Sequence, residues 1–440
     1  MKLSSRSRQR GAVILTVAFL TLFLLGFMGI AMDFGRLFIV KTELQTAMDS
    51  CALSAAHELD QLPDSITRAV NTGRTAGNLN RVNMQSANWS GKGQITDAEI
   101  TFRDSAYAVT TDPLLAKYAV CQHVQPAVQD WLLHVMSAFT GSSTDYPTTR
   151  NVAAMAVATR GSSQTTCPIP VALKPKTDPA TCAGGDCGAP NYGFAVGEWV
   201  TLIMAQNAAS GGEIGWANLD GTNSASETER EMLGSCGTRV GDTLGTPGVQ
   251  SSIADAWNFR FGIYKNSGNP AVNRPDMTGY AYTDQNWPVT CTTVPCVKNA
   301  YNGTPSSDPT GTAQNFVTKR QNFASCADQD PSTGNAAITR CETITGRSLN
   351  SFQKVAAPGM TPPAGHREYG INRRLVLVPV INASTRVIDY ACMLMLQPLS
   401  IPMGDVQLEF RGNAGAPNSP CTTSGLPGGM AGPLVPVLVR

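Results

Sequence analysis

The chain has 440 residues, enough for two or three domains, and its 33 Lys and Arg against 32 Asp and Glu leave a formal net charge of +1. So balanced a charge does not favour a nucleic-acid role. Charged residues make up only 15%, whereas 41 Gly and 28 Pro signal many turns and a β-rich body, with 42% apolar residues to build a core.

Residues 1–11 form a basic stub carrying Lys2, Arg6, Arg8 and Arg10 and no acid. From Ala12 to Met32 there is no Asp, Glu, Lys, Arg or His. As a helix this stretch is roughly 31 Å long, the thickness of a bilayer core. A secretory apolar region is usually about 7–15 residues and ends at a small-residue cleavage site. This one is longer and continues directly into MDFGRLFIVK, so residues 12–32 are expected to be an uncleaved transmembrane helix. The basic stub leaves the N-terminus in the cytoplasm and everything after Asp33 outside. So short a stub holds no cytoplasmic signalling domain.

Beyond the span, Leu37, Val40, Leu44, Met48, Cys51, Ala55 and Leu59 recur at steps of three and four, with Lys41, Glu43, Gln45, Asp49 and Glu58 elsewhere on the wheel. The helix is therefore expected to continue to about Gln61-Leu62-Pro63. Its outer half needs a partner, for which the segment to residue 160 is the candidate. There 95–102 and 115–124 read as strands, 128–139 as a helix and 151–160 as another strand. Residues 33–160 thus form a module in which a long helix lies on a small antiparallel sheet.

At Gly161 the texture changes to a Pro-, Gly- and Cys-rich stretch, and 161–440 reads as one larger extracytoplasmic domain. Residues 194–204 suggest a strand, and Ser226 with Glu229 in capping-box relation a short helix. Four-residue steps of Val249, Ile253, Trp257 and Phe261 mark a helix over 249–264, and 316–323 offers a third. Strands over 373–382, 386–396, 406–412 and 433–440 close the chain. The fold class is α+β, with a disulfide-stapled, β-rich second domain.

All twelve Cys lie beyond the apolar span, the pattern of an oxidising compartment. Two, Cys51 and Cys121, fall in the first module and are expected to pair. The ten from Cys167 to Cys421 fall in the second, and their pairing stays open. The C-x4-C pairs Cys182/Cys187 and Cys291/Cys296 invite a zinc reading. Structural zinc prefers tighter knuckles, and His57, His123, His134 and His366 cluster with neither pair, so disulfides are the expectation.

The stretch RGAVILTVAFLTLFLLGFMGIAMDFGRLFIVKTELQTAMDSCALSAAHELD resembles the N-terminal signature of TadE/TadG-like proteins of the Flp pilus, or tight-adherence, system. The resemblance is carried by Arg10 and Gly11 before the apolar run and by Asp33, Gly35 and Arg36 after it. Gln45, Ala47, Asp49, Ala52, Ala55, Ala56, Leu59 and Asp60 extend it along the helix. Further on, GGEIGWANLDGTNSASE, CGTRVGDTLGTPGVQ and RRLVLVPVINASTRVIDYACMLML are similar to the longer, TadG-like members. The resemblance implies a pilin-like N-terminal module in a component of pilus assembly and surface adherence. It would be anchored in the bacterial inner membrane, with its bulk in the periplasm and reach toward the surface. The implied partners are other Flp/Tad assembly proteins, with the outer-membrane secretin or peptidoglycan beyond them. Pilins of this system carry Glu five residues after the prepilin-cleavage Gly; here that place is held by Thr16. An anchored protein uncleaved at Gly11–Ala12 is therefore expected over a minor pilin.

No catalytic constellation emerges, so no enzyme, cofactor or metal is expected. Ser351 and Lys354 form S-x-x-K without its companion motifs, and His57-Glu58 opens an H-E-x-x-H whose second His is replaced by Gln61. Asp220 to Glu231 has the length of a calcium loop, but Ala225 stands where the turn needs Gly, and Ser226 suits a helix cap better. The metal motif of von Willebrand type found in some long TadG-like proteins is absent. Six Trp leave open an anchored adhesin or glycan-binding module. On that reading Trp216 and Trp287 are the exposed contacts, while Trp131 and Trp257, on apolar helical faces, are expected to be buried.

Overall fold

The computed structural model describes residues 10–135, 137, 141–176, 191–194, 196–204, 211–246, 251–261, 263–265, 271–276, 352–354, 370–396, 398–399, 404–423 and 425–439. They fall into two compact units, Met1–Arg160 with Pro436–Arg440, and Gly161–Val435.

The first unit is organised by α1 (Arg10–His57), a 48-residue helix about 72 Å long. Of the stripe that the three-and-four spacing predicts, Val40, Leu44, Met48, Cys51, Ala55 and, just past the helix, Leu59 are buried and Leu37 is half-buried; Ala47, Ala52 and Ala56 widen it. The helix stops a few residues short of Gln61. Its end tightens into i→i−3 bonds, Glu58 N–H to Ala55 O and Leu59 N–H to Ala56 O, and Gln61 turns left-handed at φ 62°. A second helix, α2 (Ser65–Asn78), has no counterpart in the sequence reading. Its Thr, Asn and Gly content gives it weak intrinsic propensity, so packing on α1 must hold it.

Four antiparallel-paired strands follow: β1 (Ile100–Arg103), β2 (Val109–Thr110), β3 (Tyr118–Gln129) and β4 (Thr149–Ser162). The last strand of the chain, Leu434–Leu438, joins β4, giving the order last strand, β4, β3, β1, β2. The strand expected from residue 95 begins only at Ile100. Before it, Asp97–Glu99 form a 3-10 turn closed by a Thr96–Glu99 capping box. The expected helix over 128–139 is corrected: β3 continues to Gln129, paired with Thr149, and only a 3-10 turn at Leu133–Val135 is helical before residue 136. Pairing with β4 overrides the apolar periodicity there.

In the second unit six strands close a barrel in the order β10-β11-β12-β6-β7-β5. They are β5 (Val171–Leu173), β6 (Trp199–Leu202), β7 (Ile214–Trp216), β10 (Leu375–Ile381), β11 (Val387–Met395) and β12 (Val406–Asn413). The intervening β8 (Ile263–Lys265) and β9 (Phe352–Lys354) pair antiparallel with each other. Val376, Val378 and Val380 from β10 and Ala391, Met393 and Met395 from β11 share one core with Leu408 and Phe410 of β12, the two-residue period of a strand face. The opposite face is buried too: Leu377, Tyr390 and Cys392 belong to a second cluster. That is why these strands read as unbroken apolar runs.

Two helices pack on the barrel core, α3 (Ala225–Leu233) and α4 (Ser251–Asn258), contributing Met232, Ile253 and Trp257. Ser224, not Ser226, is the N-cap of α3, which Gly234 ends at φ 123°. The helix expected over 249–264 gives out early, through a 3-10 turn at Phe259–Phe261 into β8. Disulfides join Cys167 to Cys236 and Cys392 to Cys421. The expected helix at 316–323, Ser351 of the S-x-x-K pattern, Trp287, His366 and Cys182, Cys187, Cys291, Cys296, Cys326 and Cys341 lie outside the described residues.

Candidate functional site

The apolar run occupies the first half of α1, where Val13, Leu15, Phe19, Leu20, Phe23 and Phe27 are all exposed. Among the described residues this is the one helix long and apolar enough to cross a membrane. Arg10 and Gly11 lie in its first turn. The polar residues that follow the run form a compact clamp.

Asp33 is buried to 1% exposure, a position a carboxylate tolerates only when its oxygens are satisfied. Three backbone donors supply this: Trp131 N–H at 3.0 Å, Leu132 N–H at 2.7 Å and Leu133 N–H at 2.6 Å. They open the 3-10 turn at Leu133–Val135, so the carboxylate sits where free N–H groups converge. Arg36, one turn on, donates to Gln129 O at 3.1 Å and holds its guanidinium 4.5 Å from the centre of the Trp131 ring. Asp130 braces the loop from the far side, accepting from Arg150 Nε at 2.6 Å, with its N–H bonded to Thr148 O.

Gly29 completes the contact: a Cβ built there lies 2.9 Å from Leu132 Cβ, so a larger residue would push the loop away. Gly35 is different, since a Cβ there meets nothing within 4 Å. Nothing among the described residues explains a glycine at position 35.

The small-residue run of α1 has its own partner. A Cβ on Gly73 of α2 would lie 3.0 Å from Ala55 Cβ and 3.1 Å from Cys51 O, and one on Gly77 3.0 Å from Cys51 Cβ. The two helix backbones therefore meet closely through Ala and Gly. A disulfide from Cys51 to Cys121 ties the same level of α1 to β3. Beyond the helix end, Arg68 of α2 pairs with Glu58, Asp60 and Asp64. The Asp64 hydrogen bond, opposed by burial, raises the guanidinium above its ordinary range. Gln45 donates to Asp49 at 2.8 Å and to Met155 O at 3.0 Å, and Arg160 to Leu59 O at 3.1 Å.

Residues 11–58 match the family described as putative Flp pilus-assembly TadE/G-like. Comparison with curated proteins and with solved structures gives no match. The TadE/G-like segment is thus α1 from its second residue to one residue past its end. Of the residues singled out in it, Asp33, Ala47, Ala52, Ala55 and Ala56 are buried in the fold described above and Arg36, Gln45 and Asp49 are half-buried, whereas Gly35 is exposed.

The remaining candidates resolve differently. Trp131 is corrected from buried to exposed, at 57%, because it sits in the loop after β3 and not on a helix. Trp216 is corrected in the opposite sense: it is 1% exposed and packs edge-on against Trp257, ring centres 6.0 Å apart. Asp220, Glu227 and Glu231 bring carboxylate oxygens within 4.8 Å of one another. Glu231 uses both of its oxygens on Leu219 N–H at 3.0 Å and also accepts from Asp220 N–H, so this cluster closes the turn before α3. Burial pushes the Glu231 carboxyl up to about 7 against those bonds. His57, exposed, has Glu58 at 3.4 Å. Sequence reasoning missed α2, the Gly29–Leu132 contact and the loop that Asp33 holds. Of these only the Gly73-x-x-x-Gly77 spacing left a readable trace.

Proposed function

We propose that the protein is a structural, non-catalytic component of Flp pilus assembly, held by α1 as a single-pass anchor in the bacterial inner membrane. Its N-terminus faces the cytoplasm and both folded units lie in the periplasm. The observation that carries this is the TadE/G-like match over 11–58, which coincides with the apolar run and its polar clamp. The clamp couples the anchor to the first unit, leaving the second free to engage other assembly components, with the secretin or peptidoglycan the outer targets. Assignment to the TadG-like branch rests on the length of the chain beyond the matched helix and on the three sequence segments quoted above.

Deleting the gene is expected to abolish pili and surface attachment while Flp pilin is still made. Normal piliation in the deletion strain would refute the proposal. In-cell crosslinking followed by mass spectrometry is expected to recover other pilus-assembly proteins bound to the chain.

A further inference from the structure

The loop Trp131–Val135 buries Leu133 and leaves Trp131, Leu132 and Val135 exposed at 57%, 43% and 44%. Three large apolar side chains exposed within five residues would be costly on a surface facing water alone. The loop's position is fixed by the helix: Leu132 seats against Gly29 and Asp33 binds three of its backbone N–H groups. Gly29 is inside the uncharged run, three residues before its end at Met32. Leu132 therefore lies about 4–5 Å inside the end of that run along the helix axis.

The polar residues after the run do not interrupt its outer surface. Asp33 faces the loop, and Arg36 lays its guanidinium on Trp131. Phe34 and Phe38 stay exposed at 49% and 68%. Apolar surface thus extends past Met32 on the side of α1 away from the loop, and level with the end of the run lies the loop's own apolar surface. It contains a Trp capped by an Arg, the pairing favoured where hydrocarbon gives way to headgroups.

We infer that the Trp131–Val135 loop is a membrane-contacting element, embedded at the headgroup–acyl boundary of the bilayer that α1 spans. This rests on the anchor reading above. The occupant is lipid, because the loop seats against the apolar run and lies level with its end. With the loop embedded, the first unit has two attachment points to the bilayer, which restrains its tilt and rotation about α1.

The test uses the full-length protein reconstituted in phosphatidylcholine vesicles whose acyl chains are brominated either near the headgroup or near the methyl end. Bromine quenches tryptophan on contact. Trp89, Trp199, Trp216 and Trp257 are buried in the protein, and the Trp131 signal is read as the difference between wild type and Trp131→Phe, which cancels every other Trp. The expected result is a loss of emission, larger with shallow than with deep bromine, that Trp131→Phe reduces by the Trp131 share. Adding a reporter with Val135→Trp is expected to increase the shallow-quenched emission, which keeps the test independent of how Trp131→Phe folds. Flotation after an alkaline wash is measured on the same vesicles. If the chain floats with lipid but Trp131→Phe and Val135→Trp leave quenching unchanged, the loop inference is overturned and the anchor stands. If the chain is washed off, the anchor reading fails and the loop inference falls with it.

Discussion

Replacing Asp33 by Ala removes the acceptor for the N–H groups of Trp131, Leu132 and Leu133 at once. A buried donor left without a partner costs about 1–3 kcal/mol, and bonds to a charged acceptor lie toward the upper end. Only Leu133 of the three has a fully buried side chain, so the other two amides can recover water. A cost of about 2–4 kcal/mol follows, confined to the loop, because β3 and β4 keep their own ladder up to the Gln129–Thr149 pair. Such a loss favours local opening, which amide exchange reads directly. Exchange at Trp131, Leu132 and Leu133 should accelerate roughly 30- to 1,000-fold in Asp33→Ala, at about tenfold per 1.4 kcal/mol, while amides of Val120 and Cys121 hold their protection. Asp33→Asn, which keeps an acceptor oxygen but not the charge, should fall between. Unchanged protection at these three amides in Asp33→Ala would refute the clamp as drawn.

Gly77→Val should loosen α2 from α1 and lower the thermal midpoint, since even a Cβ at this site lies 2.3 Å from Ile95 Cδ1 and 3.3 Å from Ala47 O; a stabilised variant would contradict the close approach. Reducing or mutating the Cys51–Cys121 bridge, with 70 residues of sequence separation, should cost about 4 kcal/mol on the loop-entropy estimate, measured by denaturant unfolding of the purified protein. Gly35→Ala should leave the fold intact and add roughly 0.5–1 kcal/mol of helix stability; loss of piliation with the fold retained would locate the need for glycine in a contact beyond the described residues. Glu231, with a folded pKa of about 7 against an ordinary value of 4.5, should stabilise the second unit fully below pH 4.5 and lose that contribution as pH rises through 7. Glu231→Gln should flatten this segment of the stability–pH curve, whereas a curve identical to wild type would show that the shift is absent.

The helix was legible because its signal is long. The stripe from Val40 to Leu59 repeats at helical spacing over five turns, and the uncharged run before it has no competing reading. The barrel strands were legible as elements but not as a barrel. Val376, Val378 and Val380 alternate with Leu377, which is buried as well, so one-dimensional pattern could not say which face met which neighbour. α2 was missed because nothing in SITRAVNTGRTAGN favours a helix on its own; its Gly residues are the reason it can approach α1. Trp131 was misplaced for a related reason. Its apolar neighbours mimic a helical face, and the pairing that extends β3 to Gln129 is set by β4, some twenty residues on.

The same distinction bears on what the TadE/G-like segment is for. Read along the helix, Asp33 looks like the first charge outside the bilayer, free to face water. In the fold it is buried and bonded to a loop about a hundred residues away, and Arg36 closes over that loop's Trp. A residue that only ended the span could be any polar group. One that must accept from several converging N–H groups without a cation in the way must be a short carboxylate. The small residues downstream obey an equally specific demand, since Ala55 and Cys51 face glycines whose Cβ positions are already occupied. With Thr16, not a carboxylate, inside the apolar run, the polar device of this chain stands at the end of that run, not within it. There it fastens α1 to the folded first unit, through one carboxylate and the three N–H groups it accepts from.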